Sequence, residues 1–141
     1  MRASFRGLRV WQQAMELTLE VYKDTAQFPK YELYELAQQM RRAAISVASN
    51  IAESKGHRTD ADFRRFLFHA RGSLMELETQ ILLSSKLEYL TEARAEGLQG
   101  GATRVGRSLA GLLNSLAPVG LADGGPQAKG RRLMTEDRAN V

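Results

Sequence analysis

The amino-acid sequence predicts an all-α fold, an antiparallel up-down-up-down four-helix bundle. Apolar residues recur every three or four positions in four segments, which is the period of a helix with one buried face. Short breaks separate the segments, and the sequence shows no alternation of apolar and polar residues that would predict a half-buried strand. Four helices that each have one apolar face, joined by short loops, favour an up-down-up-down bundle.

Composition and charge limit the class of protein. The chain has 141 residues, of which 43% are hydrophobic and 26% charged, and this fits one globular domain. Its formal net charge of +4 is a mild basic bias that is compatible with a nucleic-acid partner. Without cysteine it cannot form disulfides or thiolate metal sites, and no apolar run approaches the ~18 residues that span a bilayer. We therefore expect a cytoplasmic protein without membrane contact.

The first two helices end at residues that stop or cap a helix. The first is predicted over about residues 8–26 and ends at "QFPK", because Pro29 cannot continue a helix. The second is predicted over residues 31–55 from a clean repeat of three and four. It ends near Gly56, which can take the left-handed conformation of a helix C-cap.

The last two helices differ in their glycine content. The third is predicted over residues 60–88, with Thr59 as its N-cap. The fourth is predicted over residues 91–117, and Gly100 and Gly101 interrupt its apolar repeat. These glycines favour either a break in the helix or, together with other small residues on that side, close approach of another backbone. The sequence leaves both alternatives open.

The periodic pattern also sets the domain organisation. Residues 1–117 are predicted to form the bundle, because the repeat continues almost to that point. After Pro118 the repeat is lost, and the segment is rich in glycine and charge with few large apolar groups. We expect residues 118–141 to be a disordered tail.

No residue pattern indicates catalysis or a bound metal. "GATRVGRS" resembles a P-loop, but a P-loop follows a strand and here the preceding residues are predicted to be helical. His57 and His69 are the only histidines, and no metal-ligand motif accompanies them. Glu76 and Glu78 point to different sides of a helix, so they do not converge for acid–base chemistry. We expect no enzyme activity, no cofactor and no metal.

A polar stripe interrupts the second helix, within "QMRRAAISVASNIAESKGHRT", and the third. Its members are Arg42, Ser46, Ser49, Asn50, Glu53, Ser73 and Glu76. Small residues beside the stripe permit close helix approach, and polar groups that become buried there need hydrogen-bond partners. Two interpretations remain open. The stripe is either a solvated face or a set of hydrogen bonds that fixes the register of a contact between subunits.

Several motifs resemble those of a known family. "FRGLRVWQQAMEL", "QMRRAAISVASNIAES" and "FRRFLFHARGSLMELETQILLSSKL" together resemble the four-helix-bundle family of 23S rRNA-intervening-sequence proteins. That family is related to the accessory variability determinant of diversity-generating retroelements. The resemblance covers about Phe5 to Ala117. Positions that match the helix 2 and helix 3 motifs are Arg41, Arg42, Ser46, Asn50, Ile51, Glu53, Gly72, Ser73, Glu76 and Glu78.

The resemblance implies a non-enzymatic bundle that assembles as a ring-like homopentamer. It also implies a link to nucleic acid, since the retroelement members bind nucleic acid and a reverse transcriptase through a basic outer surface. Members encoded within rRNA intervening sequences have no established biochemical role. Our first hypothesis is therefore an accessory factor that binds RNA or DNA, with a reverse transcriptase as a candidate protein partner.

Basic residues supply the candidate contacts to nucleic acid. They are Arg41, Lys55, Arg58, Arg64, Arg65 and Arg71. Phosphate contacts require charge and reach rather than base readout. Because the sequence shows no helix-turn-helix, zinc module or exposed aromatic platform, we expect sequence-tolerant and salt-dependent binding. The alternative hypothesis is a structural protein-interaction scaffold that binds no nucleic acid.

Overall fold

A computed structural model describes residues 4–116, and all of their regular structure is helical. The α-helices are α1 (Arg9–Thr25), α2 (Leu36–Ser54), α3 (Asp60–Lys86) and α4 (Glu92–Ser115), and short 3₁₀ helices lie at Phe5–Gly7 and Lys30–Glu32. No strand occurs within the described range. The prediction of an all-helical fold with four helices is confirmed. The tail predicted for residues 118–141 lies outside the described residues.

One apolar cluster joins the four helices. Each helix turns the residues of its three- and four-residue repeat inward, and burial of each large side chain stabilises the fold by about 1.5–3 kcal/mol. Small residues of α2, such as Ala43 and Ala44, are also buried, so α2 packs closely on its neighbours. The largest fully buried apolar side chains are Met40, Ile51, Leu67, Leu77, Ile81, Leu98 and Leu109.

Contacts between neighbouring helices pair the first half of one with the second half of the next. Along α1 and α4, Gln13 contacts Ser108 and Asp24 contacts Arg94. The corresponding pairs between α2 and α3 are Ser46–Ser73 and Met40–Ser84. Residue numbers rise along one helix as they fall along its neighbour. Arg41 near the start of α2 bonds to Tyr22 and Thr25 in the last turn of α1. Together these contacts place the first halves of α1 and α3 and the second halves of α2 and α4 at one end.

Helix α2 begins at Leu36, later than the predicted residue 31. The preceding chain makes the 3₁₀ turn Lys30–Glu32, and Glu35 has a non-helical backbone with φ −119° and ψ −103°. Tyr31 and Tyr34 are 71% and 84% exposed. Because both tyrosines face solvent, this segment has little apolar surface to bury by continuing the helix.

A residue with left-handed backbone conformation follows α3 and not, as the sequence suggested, α2. Helix α2 ends at Ser54, near Gly56 as predicted, but the backbone of Gly56 does not lie in the left-handed region. The left-handed residue is Glu88 after α3, with φ 64°. There the Tyr89 N–H donates to Ser84 O at 2.9 Å and the Glu88 N–H donates to Ser85 O at 3.0 Å. This bond pattern is a Schellman motif, in which glycine is the preferred left-handed residue.

Helix α4 passes through its glycines without the break that was one alternative. Its N-cap is Thr91, whose Oγ1 accepts from the Arg94 N–H at 3.2 Å. A Cβ atom on Gly101 would lie 3.1 Å from Leu17 Cδ1, so the missing side chain lets α4 approach α1. A Cβ on Gly97 would meet no atom within 4 Å. A side chain at position 101 would therefore require Leu17 to shift by a few tenths of an ångström, whereas position 97 is open.

Candidate nucleic-acid interface

The centre of the predicted polar stripe is a hydrogen-bond network between α2 and α3. The Oγ atoms of Ser46 and Ser73 lie 2.7 Å apart. The Asn50 side-chain amide donates to Ser46 O at 2.8 Å and to Ser46 Oγ at 3.1 Å. All three residues are half-buried. These polar groups find partners within one chain, so this part of the stripe links two helices of the same bundle.

The other members of the stripe face solvent. Arg42, Ser49, Glu53 and Glu76 are exposed in the single chain. Glu76 makes a contact on its own helix, where its Oε1 accepts from Gln80 Nε2 at 3.3 Å. The centre of the stripe is thus a network between two helices of one chain, and its flanks are an exposed polar face. A contact between subunits at this stripe stays a prediction.

All of the basic candidates except Arg41 lie at one end of the bundle, which we call the basic end. The contacts Leu17–Gly101 and Ser46–Ser73 mark its boundary. It comprises residues 4–16, 47–72 and 104–116. Its basic residues are Arg6, Arg9, Lys55, Arg58, Arg64, Arg65, Arg71, Arg104 and Arg107, and its acidic residues are Glu16, Glu53, Asp60 and Asp62. Basic residues clearly outnumber acidic ones here.

The rest of the described chain, which we call the acidic end, has the opposite balance. It comprises residues 17–46 and 73–103. Its acidic residues are Glu20, Asp24, Glu32, Glu35, Glu76, Glu78, Glu88, Glu92 and Glu96, and its basic residues are Lys23, Lys30, Arg41, Arg42, Lys86 and Arg94. The mild net charge of the chain therefore conceals a separation of charge along the bundle.

Arg41 is held within the acidic end and stands apart from the other candidates. Its Nε donates to Thr25 Oγ1 at 2.9 Å, and its Nη2 donates to Tyr22 O at 3.3 Å. Its guanidinium also lies 4.6 Å from the centroid of the Tyr22 ring. Because Tyr22 and Thr25 belong to the last turn of α1, Arg41 stabilises a helix C-terminus where unpaired carbonyls favour a cation.

Two arginines of α3 lie over aromatic rings of the same helix. The Arg65 guanidinium lies 4.8 Å from the centroid of the Phe66 ring, and Arg65 Nη2 lies 3.5 Å from Asp62 Oδ1. The Arg71 guanidinium lies 4.7 Å from the centroid of the Phe68 ring. The Phe68 side chain is 43% exposed. A partly exposed aromatic side chain, Phe68, therefore lies beside an arginine at the basic end.

The structure adds four arginines that the sequence analysis did not select. Arg6 and Arg9 come from the start of the described chain, and Arg104 and Arg107 come from the second half of α4. All four are exposed. They join the basic end only because the first half of α1 and the second half of α4 lie beside each other. The up-down-up-down order predicted from the sequence is the signal that would have found them.

The acidic end contains a buried ion pair that sequence reasoning missed. Arg94 Nη1 donates to Asp24 Oδ1 at 3.0 Å, and Asp24 is only 5% exposed. Burial raises the pKa of Asp24, and the positive charge of Arg94 opposes that rise. The pair ties the end of α1 to the start of α4 and borders a groove of about 550 Å³ between these helices.

The two histidines pack on one aromatic ring. The His57 ring stacks on Phe66 with 4.5 Å between centroids, and His69 meets the edge of Phe66 at 5.8 Å. His57 Nδ1 also lies 3.9 Å from Asp62 Oδ2. The histidines thus help to fix the turn between α2 and α3 onto the first half of α3.

Two further features are absent from residues 4–116. This range contains no cluster of three or more His, Cys, Asp or Glu side chains placed to hold a metal ion. Within the same range, every helix is too short or too polar to cross a membrane. The stretch that resembles a P-loop lies wholly inside α4, so its backbone N–H groups serve the helix instead of forming a phosphate-binding loop.

Comparison with known proteins agrees with this architecture. A family model described as 23S rRNA-intervening sequence protein matches residues 6–111. A crystal structure from Bacteroides thetaiotaomicron VPI-5482, described as a protein with unknown function from the S23 ribosomal protein family, is similar with a TM-score of 0.68 and 22% identity. The match covers 75% of this chain and 99% of that chain, and at this identity it shows the fold alone. No curated protein matches the chain.

Proposed function

Because the chain belongs to the family of 23S rRNA-intervening sequence proteins, we propose that it is a non-enzymatic accessory factor that binds nucleic acid. The observation that carries the proposal is the concentration of basic residues at one end of the bundle. Three separate stretches of the chain supply these residues, so only the folded bundle presents them together. Nucleic-acid phosphates are the partner that such a surface attracts most generally.

The arrangement favours contact with phosphates over reading of base sequence. The basic residues come from the start of α1, the turn between α2 and α3, the first half of α3 and the second half of α4. They cover one end of the bundle instead of aligning on one helix that could enter the major groove. We therefore expect sequence-tolerant binding whose affinity falls steeply with salt, because phosphate contacts release counterions.

We also propose that the bundle is antiparallel and assembles with copies of itself into a ring, a homopentamer. Met15, Leu19 and Ile45 are 37%, 65% and 43% exposed on the side of α1 and α2. Met75 and Leu82 are 60% and 55% exposed on α3. Exposed apolar patches indicate interfaces, and contact between two different patches repeats around a closed ring. A monomeric mass from light scattering at micromolar concentration would contradict this assembly.

The second candidate is a structural scaffold that contacts only proteins. The same exposed apolar residues favour it, because they suit a protein partner better than a polyanion. A reverse transcriptase remains a candidate partner under both functions. The two functions differ in whether the basic end binds RNA or DNA, so a binding measurement separates them.

The test is a charge reversal at each end with the same change in net charge. Arg9→Glu, Arg58→Glu and Arg107→Glu together remove exposed cations from three parts of the basic end. The matched control combines Lys23→Glu, Lys30→Glu and Lys86→Glu at the acidic end. Affinity for labelled RNA and DNA at low salt should fall at least roughly tenfold in the first variant and much less in the control.

Two outcomes would reject the nucleic-acid function. If both triple variants bind equally well, the basic end is not the contact surface and net charge alone decides the affinity. If the wild-type protein binds neither RNA nor DNA at low salt, the scaffold function takes its place. Light scattering and thermal unfolding of both variants should match the wild type, which would show that assembly and fold are unchanged.

A further inference from the structure

We infer that Phe68 is a stacking platform for an unpaired nucleobase, so that the basic end binds single-stranded nucleic acid in preference to duplex. This inference rests on the proposed function and adds the class of ligand. It starts from an aromatic side chain that is 43% exposed on α3 with the Arg71 guanidinium 4.7 Å from its ring centroid.

The surroundings of Phe68 combine an apolar ring face with positive charge. The ring borders a shallow depression of about 340 Å³ that Ala61, Arg64, Arg65 and His69 also line. The small side chain of Ala61, two helical turns before the ring, leaves room beside it. Arginines on this surface provide the charge that holds a phosphate backbone while a base lies on the ring.

Two other exposed apolar residues of α3 show why Phe68 is different. Met75 and Leu82 follow Phe68 at heptad spacing on the same side of the helix, and they are 60% and 55% exposed. They lie in the acidic end, and Leu82 borders a depression that Glu92 and Glu96 also line. Phe68 lies among arginines, whose charge an apolar protein partner would have to desolvate. The same line of residues therefore suits a protein at one end and a polyanion at the other.

Stacking also explains why the ligand should be single-stranded. In a duplex the bases are stacked on each other and paired, so a side chain on the protein surface meets only backbone and groove edges. In a single strand each base can turn outward and lie on an aromatic ring, a contact that is tolerant of sequence because every base has a π face. Arginines alone would bind both forms through phosphate. Stacking on the Phe68 ring should therefore make binding of single strands tighter than binding of duplex.

The experiment compares variants of Phe68 in the full chain. Phe68→Leu removes the ring and keeps an apolar side chain, whereas Phe68→Trp keeps a ring. The probes are labelled single-stranded oligodeoxythymidine, the corresponding oligouridine, and a DNA duplex of the same length. Phe68→Leu should weaken binding of both single strands roughly tenfold and leave duplex binding unchanged. Phe68→Trp should bind the single strands as tightly as the wild type does. Leu83→Ala is the control for loss of an exposed apolar group elsewhere on α3, because Leu83 is 46% exposed.

Fluorescence of Phe68→Trp gives a direct readout of stacking. The wild-type chain has one tryptophan, Trp11. Subtracting the wild-type signal isolates the new indole, and single strands should quench it while duplex should not. A ring with a merely structural role would show no such quenching. Thermal unfolding and light scattering should confirm that each variant folds and assembles as the wild type does.

The outcomes separate this inference from the proposed function. If Phe68→Leu binds single strands as well as wild type does, or loses duplex binding equally, the stacking role is rejected while the basic end stands as a phosphate site. If single strands do not quench the indole of Phe68→Trp, stacking is likewise rejected. If wild-type protein binds none of the three probes at low salt, the proposed function fails and the inference fails with it.

Discussion

The two ends of the bundle use arginine in different ways. At the acidic end, arginines join one helix to another, since Arg94 pairs with Asp24 across α4 and α1 and Arg41 bonds to the last turn of α1. At the basic end, the described contacts of Arg65 and Arg71 are made with residues of their own helix, α3. Arg41 and Arg94 hold helices together at the acidic end, whereas Arg65 and Arg71 are exposed on α3 at the basic end.

This contrast shows that the role of a charged residue depends on its partners in the fold and not on its type. Tyr89 adds to the contrast, because its hydroxyl donates to Glu32 Oε2 at 2.8 Å and so connects the segment after α3 to the turn before α2. Changes at the acidic end should therefore alter stability. Changes at exposed positions of the basic end should alter binding with little effect on stability.

The largest effect on stability should come from removing the cation of the buried ion pair. Arg94→Met leaves the Asp24 carboxylate buried without its partner, which should destabilise the protein by about 2 kcal/mol. The value lies below the roughly 3–5 kcal/mol of a fully buried pair, because the Arg94 side chain is 45% exposed. Urea unfolding at neutral pH measures the loss, and Arg107→Met at the basic end is the matched control. If Arg94→Met and Arg107→Met lose the same free energy of unfolding, the arginines of the two ends do not differ in their effect on stability.

The same variant should depend on pH in a defined direction. Burial raises the pKa of Asp24 and Arg94 opposes the rise, so the pKa should be higher still in Arg94→Met. A carboxyl group with a raised folded-state pKa binds its proton more tightly in the folded protein. Its contribution to stability is therefore gained as the pH falls through that pKa and lost as the pH rises through it. The deficit of Arg94→Met should shrink in acid, and adding Asp24→Asn should remove this pH dependence.

The contrast between the ends also marks what the sequence could predict. Helical periodicity and local caps are properties of neighbouring residues, so the four helices and the N-cap at Thr59, whose Oγ1 accepts from the Asp62 N–H at 3.1 Å, follow from the sequence. The Asp24–Arg94 pair joins residues from different helices, and no local pattern predicts it. The gathering of arginines at one end depends on the directions of all four helices, whereas the candidate cations were chosen from α2, α3 and the turn between them alone.

Other differences between prediction and structure have local physical causes. The predicted α2 extends back to Tyr31 in the sequence, but Tyr31 and Tyr34 face solvent and only Leu33 of this segment packs on the core, so little apolar surface favours a helix there. Phe68 carries a usable signal, because it falls outside the inward repeat of Leu67, Ala70 and Leu74. A large aromatic residue that departs from the repeat of its own helix is a candidate surface residue, and the spacing of residues along the sequence is enough to identify it.

A smaller effect should arise between the two ends, at the Ser46–Ser73–Asn50 network. Asn50→Ala removes two hydrogen bonds to Ser46 and should lower stability by about 1 kcal/mol. Ser49→Ala is the control, because Ser49 is the exposed neighbour in the same stripe and its loss should change stability by less than about 0.5 kcal/mol. Thermal unfolding with light scattering measures both fold and assembly. If Asn50→Ala behaves like Ser49→Ala in both, the network contributes nothing and the whole stripe is a solvated face.

The smallest effect should be a gain in stability at the turn between α3 and α4, in the acidic end. Glu88 has φ 64°, a left-handed conformation that is strained for a residue with a side chain. Its carboxylate also lies at a helix C-terminus, where the helix dipole disfavours negative charge. Glu88→Gly relieves both terms but loosens the unfolded chain, so the net gain should be roughly 0.5–1 kcal/mol. Glu88→Ala relieves only the charge and should gain less. If Glu88→Ala gains as much stability as Glu88→Gly, the negative charge of Glu88 and not its backbone conformation destabilises this turn.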